Sequence, residues 1–115
     1  NQAVVTPEAV DRYWELARLP GNRAATRERF ALPWTSFTAD QVRAVKVPTL
    51  IMWGQEDALI PYAAAAWFRD HLPDARLVSY RGIGHLPMEE APDASAQDLV
   101  RFLTDLAARP GLGTQ

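Results

Sequence analysis

Residues 47–57 have the sequence VPTLIMWGQED, an apolar run followed by a polar loop. The run extends from Thr49 to Trp53, and Gly54 ends it. A short apolar run between turn signals is typical of a parallel strand that is buried on both faces. The stretch therefore predicts an α/β fold, with Glu56 and Asp57 at the carboxyl end of a strand.

The residues that follow predict a helix, a second strand and a further helix. Residues 61–71 are rich in alanine and predict the first helix, and residues 76–80 predict the second strand. Residues 92–108 predict the last helix, whose apolar side carries Leu99, Val100, Phe102, Leu103 and Leu106. Because a strand–helix–strand crossover is nearly always right-handed, the strands are expected to be parallel. The loops after them then meet at one edge, where open α/β sheets bind ligands.

The loop after the second strand carries a histidine, and the loop after the first carries two acids. His85 follows Gly82, Ile83 and Gly84. The two glycines are expected to let the loop turn sharply. Neighbouring strands lie ~4.8 Å apart, so the two loops come together. Asp57 is then placed to accept a hydrogen bond from one imidazole nitrogen, which fixes the tautomer and stabilises the imidazolium.

Two alternatives stay open at this point. A lone aspartate after a strand is usually a turn or cap residue, and a lone histidine is usually solvated or structural. Glu56 is also a rival acid, because adjacent residues of an extended loop point apart and only one of them reaches the histidine. Glu89 and Glu90, just ahead of the last helix, are expected to favour the N-terminus of that helix.

Residues 47–57 resemble the seventh strand and acid loop of α/β-hydrolases, whose pattern is P-x-L-x-x-x-G-x-x-D. Residues 73–77 and 82–89 resemble the eighth strand and histidine loop, and the family's order of acid before histidine is kept. The resemblance covers residues 39–108. It implies that Asp57 is the acid of a catalytic triad, that His85 is the general base, and that Glu56 is a solvated neighbour.

The resemblance also implies the fold class, which is α/β. Residues 39–115 are expected to form the C-terminal portion of an α/β-hydrolase parallel sheet with flanking helices. Residues 1–38 look like the end of a helical cap, or lid, with helices over residues 7–17 and 22–31. The turn at residues 20–23 resembles the turn between cap helices in relatives of epoxide hydrolases and haloalkane dehalogenases.

A set of apolar residues in the cap and beside the triad loops is predicted to line a substrate pocket. The alternative for the aromatic members is that they are plain core. The set consists of Trp14, Trp34, Phe37, Leu59, Ile60 and Leu86.

The nucleophile of such a triad is absent from the sequence. The serines are Ser36, Ser79 and Ser95, and none has a glycine two residues to either side, as G-x-S-x-G requires. No aspartate occupies such an elbow, and no HGGG-type oxyanion loop is present. Because a base without a nucleophile cannot run acyl transfer at a useful rate, this chain alone is expected to be inactive.

Two predicted strands also leave one apolar edge of the sheet open. The expected partners are the missing N-terminal half of the hydrolase or a second chain that completes the sheet. Because the chain begins with Asn1 rather than Met, a fragment of a longer enzyme is the simplest interpretation; a cleaved enzyme and a pair of identical chains are the alternatives.

The composition argues against several other functions. The net charge is −2 and Lys46 is the only lysine, so no nucleic-acid partner is expected. With no cysteine and two histidines, neither a metal site nor any cofactor is predicted. No apolar run reaches the ~20 residues that cross a bilayer, and no signal peptide is visible. Since the absence of cysteine suits a reducing compartment, a cytoplasmic protein without membrane contacts is expected.

The predicted function is hydrolysis of an ester or a similar small apolar substrate, without a cofactor. The nucleophile is serine or aspartate, and the sequence does not decide between them. The alternative function is a non-catalytic, hydrolase-like receptor or small-molecule binding module, because a receptor can keep the acid and the histidine.

Overall fold

The structure is a computed structural model that describes residues 2–33 and 35–109, with only the backbone of Gln2. The chain divides into two compact units, residues 2–37 and the residues from Thr38 onward. No helix in these described ranges is long and apolar enough to cross a membrane.

The first unit is a helical hairpin. A 3-10 turn at Gln2–Val4 precedes helix α1 (Pro7–Arg18) and helix α2 (Asn22–Ala31). Thr6 caps α1, because its hydroxyl oxygen accepts a hydrogen bond from the Ala9 N–H at 3.2 Å. Gly21 makes the turn between the helices with a positive φ of 88°. Both predicted helices are confirmed, and the assignment of this unit to a cap stays a prediction.

The second unit has the predicted strand–helix–strand order. Its elements are α3 (Ala39–Arg43), β1 (Thr49–Gly54), α4 (Ala63–His71), β2 (Ala75–Tyr80), α5 (Pro87–Glu90) and α6 (Pro92–Ala107). The strands are parallel and in register from Thr49 opposite Ala75 to Gly54 opposite Tyr80. Both strands therefore end at the same edge of the sheet. The short helix α5 is one element that was not predicted from the sequence.

The core of the second unit draws one apolar residue from each of five elements. Ala65 on α4 is completely buried, and the others are at most 9% exposed. They are Val42 on α3, Ile51 on β1, Tyr80 on β2 and Phe102 on α6. This small core connects the sheet to its helices.

Strand β1 is not buried on both faces, which corrects the prediction from its apolar run. Only Ile51 and Gly54 are buried, and the remaining residues of the strand are half-buried. The described residues form a sheet of only two strands, so β1 has a neighbouring strand on one edge. Although α4, α5 and α6 contact β1, its apolar side chains stay partly accessible.

Helix α6 buries a face that differs from the predicted one. Leu99, Val100 and Leu103 are 44%, 62% and 52% exposed, whereas Phe102 is buried and Leu106 is half-buried. The buried face instead continues through polar residues at positions 95 and 98. Their polar atoms have hydrogen-bond partners: the Ser95 hydroxyl donates to the Pro92 carbonyl within the same helix, and Asp98 accepts from the Tyr80 hydroxyl on β2.

Candidate active site

The acid loop after β1 holds the Asp57 carboxylate with its own backbone. The N–H groups of Leu59 and Ile60 both donate to Asp57 Oδ1 at 2.9 Å. Such a turn is a local preference of aspartate, because its short side chain reaches backbone N–H groups two or three residues on. The side chain is only 3% exposed, so its position is closely defined.

The predicted contact between acid and histidine is present. Nδ1 of His85 lies 2.8 Å from Oδ2 of Asp57, while the other carboxylate oxygen is occupied by the two backbone N–H groups. The imidazole side chain is 41% exposed. The pair thus combines a buried carboxylate with an accessible imidazole, and its catalytic role stays a prediction.

The environment of Asp57 favours its ionised form. Burial raises the pKa of Asp57, but hydrogen bonds from the Ile60 N–H, the imidazole and the Leu59 N–H together outweigh this effect. The pKa of this carboxyl group therefore lies below the usual aspartate value.

An ionised carboxylate determines the tautomer of the imidazole. A carboxylate can only accept hydrogen bonds, so Nδ1 of His85 must carry the proton in the contact with Asp57. Nε2 of the neutral ring then has a free lone pair. A nitrogen in this state can accept a proton from a nucleophile or from water.

Glu56, the rival acid, is exposed and is not the partner of the imidazole in this structure. Its backbone N–H donates to the Ile83 carbonyl at 2.9 Å and so joins the acid loop to the histidine loop. The contact with the histidine therefore falls to Asp57.

The two glycines of the histidine loop have different roles. Gly82 has a positive φ of 71°, which confirms the predicted sharp turn at that position. Gly84 is not in the left-handed region. A Cβ atom on Gly84 would lie 2.9 Å from Oε1 of Glu90, so this glycine makes room for a carboxylate.

Gly54, at the end of β1, allows the histidine loop to cross directly over the strand. A Cβ atom at this position would lie 2.0 Å from the Gly84 carbonyl oxygen and 2.3 Å from that of Ile83. Only a residue without a side chain permits this approach. From the sequence, Gly54 was predicted only to end the strand, and its contact with the histidine loop was not predicted.

Glu90 is a site residue that the sequence analysis missed. Oε2 of Glu90 accepts a hydrogen bond from the Gly84 N–H at 2.9 Å, and Oε1 accepts one from the Leu86 N–H at 3.2 Å. The expectation that Glu90 favours the N-terminus of the last helix is therefore corrected: its carboxylate binds the histidine loop. The acid lies four residues after the Leu86 N–H, one more than in a capping box, so the sequence pattern did not reveal this contact.

A cavity of about 110 Å³ opens beside the acid–histidine pair. Its walls are Met52, Trp53, Gly54, Asp57 and His85. The predicted pocket residues Leu59, Ile60 and Leu86 are 74%, 44% and 36% exposed and do not line this cavity. Instead, the backbone N–H groups of Leu59 and Ile60 donate to Asp57, and that of Leu86 donates to Glu90.

Two of the other predicted pocket residues lie in the first unit. Trp14 and Phe37 are 57% and 69% exposed in the helical hairpin, and Trp34 lies outside the described residues. Whether any of the set lines a substrate pocket stays a prediction.

The serines near the sheet are engaged elsewhere. The Ser79 hydroxyl oxygen accepts a hydrogen bond from Nε2 of Gln55 at 3.1 Å. The Ser95 hydroxyl is buried and donates to the Pro92 carbonyl at 3.0 Å. The contacts of both hydroxyl groups agree with the sequence, which places neither serine in a nucleophile elbow.

Comparison with known proteins identifies the family. The family model described as Serine aminopeptidase, S33, matches residues 9–92, more than half of the chain. The chain belongs to the α/β-hydrolase family. Its parallel strand–helix–strand unit with flanking helices is part of the α/β-hydrolase fold.

Curated relatives of this α/β-hydrolase chain include an esterase and a haloperoxidase. It is 42% identical over 60 residues to a pimeloyl-[acyl-carrier protein] methyl ester esterase of Aromatoleum aromaticum, covering 50% of this chain and 24% of that protein. It is 30% identical over 102 residues to a non-heme chloroperoxidase of Streptomyces lividans, covering 88% of this chain and 37% of that protein. The chain thus spans between about a quarter and two-fifths of the length of these relatives.

Among solved structures, a meta-cleavage product hydrolase from Pseudomonas fluorescens IP01 shares the fold. The match has a TM-score of 0.79 at 20% identity and covers 92% of this chain and 41% of that one. At this identity the likeness concerns the fold alone.

Proposed function

We propose that this α/β-hydrolase chain supplies the acid and the general base of a catalytic triad that hydrolyses an ester or a similar small apolar substrate. The observation that carries the proposal is the 2.8 Å contact between Nδ1 of His85 and Oδ2 of Asp57. The buried carboxylate and the accessible imidazole are the two conditions that a general base of this kind needs.

In the proposed reaction, Nε2 of His85 removes the proton from the attacking oxygen. That oxygen belongs to a serine nucleophile or, if the nucleophile is an aspartate, to the water that hydrolyses the covalent intermediate. Asp57 stabilises the imidazolium that forms, and with a serine nucleophile the imidazolium then returns the proton to the leaving alkoxide. Asp57 itself stays ionised throughout.

The nucleophile, the oxyanion donors and further strands come from outside these 115 residues, in a longer form of the same protein or in a second chain. This part of the proposal rests on the absence of a nucleophile elbow from the sequence. It also rests on β1, whose second edge has no neighbouring strand among the described residues. Two relatives, the esterase of Aromatoleum aromaticum and a lipase of Psychrobacter immobilis, favour ester substrates.

Hydrolysis of short-chain p-nitrophenyl esters by the full-length protein tests this function. His85→Ala is expected to lower kcat/KM by about 10⁴-fold or more, because the nucleophile then lacks its base. Glu56→Gln is the matched control on the exposed neighbouring acid and is expected to keep wild-type activity. Equal activity of His85→Ala and the wild type would exclude His85 as the base.

The alternative, a non-catalytic receptor or binding module, predicts a different result in the same protein. A small apolar ester would then raise the melting temperature of the wild type while no product forms. This outcome would replace hydrolysis with ligand binding as the function of the site.

A further inference from the structure

Glu90 holds the backbone on both sides of the proposed base. Its two carboxylate oxygens accept hydrogen bonds from the N–H groups of Gly84 and Leu86, the residues immediately before and after His85. The distances are 2.9 and 3.2 Å. The imidazole therefore leaves the chain between two backbone groups that are bound to one side chain.

A carboxylate is well suited to this task. Two N–H donors need two acceptors, and the ionised group offers two equivalent oxygens with stronger, charge-assisted hydrogen bonds. Glu90 is the last residue of α5, so it reaches back over the helix to the loop that precedes it. Pro87, the first residue of α5, is buried and has no N–H of its own to compete for the carboxylate.

The loop is supported from its other side by the end of β1. The Ile83 carbonyl accepts a hydrogen bond from the Glu56 N–H at 2.9 Å, and Gly54 lets the loop carbonyls approach the strand closely. Gly84 in turn leaves space for the carboxylate of Glu90. The histidine loop is thus clamped between β1 and Glu90, and Glu90 is the part of this clamp that binds next to the imidazole.

We propose that Glu90 is the positioning residue of the base: by binding Gly84 and Leu86 it holds His85 where Nδ1 meets Asp57. The inference rests on the proposed function, since a base is positioned only if it acts as one. A misplacement of about 1 Å at a catalytic group can cost on the order of 100-fold in rate. Loss of Glu90 should consequently lower kcat and leave substrate binding intact.

The test compares Glu90→Gln with Glu56→Gln in the full-length protein. Both substitutions remove one negative charge, but only the first removes an acceptor of a loop N–H. Glu56 contributes to the clamp through its backbone N–H alone, which Glu56→Gln leaves in place. For Glu90→Gln we expect kcat to fall by about 10- to 100-fold with KM unchanged. Loss of the groups that orient metal-binding side chains in metalloenzymes has effects of this size. The wild type and Glu56→Gln are expected to be equal in both constants.

Amide hydrogen exchange gives a second readout that does not depend on turnover. In Glu90→Gln the amide protons of Gly84 and Leu86 should exchange faster, while the Ile51 amide in the core keeps its wild-type rate. Gly84→Ala is a second variant, because its Cβ atom would displace the carboxylate without removing it. It should lower kcat in the same direction.

The outcomes separate the two proposals. If His85→Ala is inactive but Glu90→Gln and Glu56→Gln match the wild type in kcat and in exchange, the role of Glu90 is wrong and the proposed function stands. If His85→Ala keeps wild-type turnover, the proposed function is wrong and the positioning role of Glu90 is lost with it. Equal acceleration of the Gly84, Leu86 and Ile51 amides would show a general loss of stability and would also overturn the inference.

Discussion

The acid loop and the histidine loop hold their functional side chains in different ways. Asp57 is fixed by N–H groups two and three residues further along its own loop and is 3% exposed. His85 is 41% exposed, and its loop is fixed by residues of other elements, Gly54 on β1 and Glu90 on α5. The buried partner is therefore positioned locally, and the accessible partner is positioned by tertiary structure.

The difference agrees with the roles that the two side chains have in the proposed reaction. A carboxylate that only stabilises a charge can be buried in its own turn, whereas a base that meets substrate must stay accessible and takes its position from its supports. Substitution of Asp57 should accordingly lower activity by removing the charge that stabilises the imidazolium. Substitutions around the histidine loop should lower activity by moving the imidazole.

The largest effect is expected for Asp57→Asn. Asparagine keeps an oxygen for the N–H groups of Leu59 and Ile60, so the local turn should survive. Its amide NH₂ cannot accept the Nδ1 proton of His85, which favours the wrong tautomer and should lower kcat/KM by about 10⁴-fold. Steady-state kinetics of the full-length protein measure the fall in kcat/KM, and a melting curve checks that the fold survives.

Because the two side chains act as a unit, Asp57→Asn combined with His85→Ala should be no less active than His85→Ala alone. Wild-type turnover by Asp57→Asn would instead direct attention to Glu56 or to another acid.

The next effect concerns the support of the histidine loop by β1. In Gly54→Ala the new Cβ atom would lie 2.0 Å from a backbone carbonyl oxygen, so the loop must move. We expect the free energy of unfolding to fall by about 3 kcal/mol. Denaturant unfolding of the full-length protein provides the measurement.

Gly82→Ala, in the histidine loop, is the matched glycine control. A Cβ atom there meets no atom within 4 Å, and only the positive φ of 71° opposes it. This substitution is expected to lower the free energy of unfolding by about 1 kcal/mol. Equal costs for the two substitutions would show that the close approach at Gly54 is not a constraint.

A smaller effect is expected for Tyr80→Phe, at the start of the histidine loop. The Tyr80 hydroxyl donates to Oδ2 of Asp98 at 3.0 Å, a hydrogen bond to a charged group that contributes about 1.5–3 kcal/mol. Burial, together with the hydrogen bond and charge of Asp98, raises the pKa of Tyr80 to about 12.

The raised pKa fixes the sign of the pH dependence. Below pH ~10 the phenol is protonated in both the folded and the unfolded state, so the stabilisation is fully present. As the pH rises from ~10 towards 12, only the unfolded state loses its proton and the stabilisation disappears. Unfolding curves of the wild type and Tyr80→Phe should thus converge in this range. A constant difference would contradict the role of the hydroxyl.

The sequence predicted the local features well because they depend on short-range pattern. The apolar run of β1, the alanine-rich α4 and the acid after Gly54 are each readable within about ten residues. The contact of Asp57 with His85 followed from parallel strands in neighbouring positions and is confirmed as geometry.

The missed features depend on segments that cross in space. Gly54 contacts a loop some thirty residues further on, and a single glycine at a strand end does not reveal this contact. Glu90 was assigned to the wrong helix terminus, because α5 is only four residues long and lacks a periodic pattern. The buried face of α6 was misassigned, since the half-buried Asp98 is satisfied by the Tyr80 hydroxyl on β2 and by Arg101, and the Tyr80 contact cannot be read from the helix pattern.

The central claim is that an ionised Asp57 keeps the proton of His85 on Nδ1 and leaves Nε2 as the base. Proton NMR of the full-length protein with ¹⁵N-labelled histidine measures this directly. We predict a downfield proton on Nδ1 of His85 in the wild type and in Glu56→Gln, and its loss in Asp57→Asn. A proton on Nε2 of the neutral wild-type ring, or a resonance that Asp57→Asn leaves unchanged, would contradict the claim.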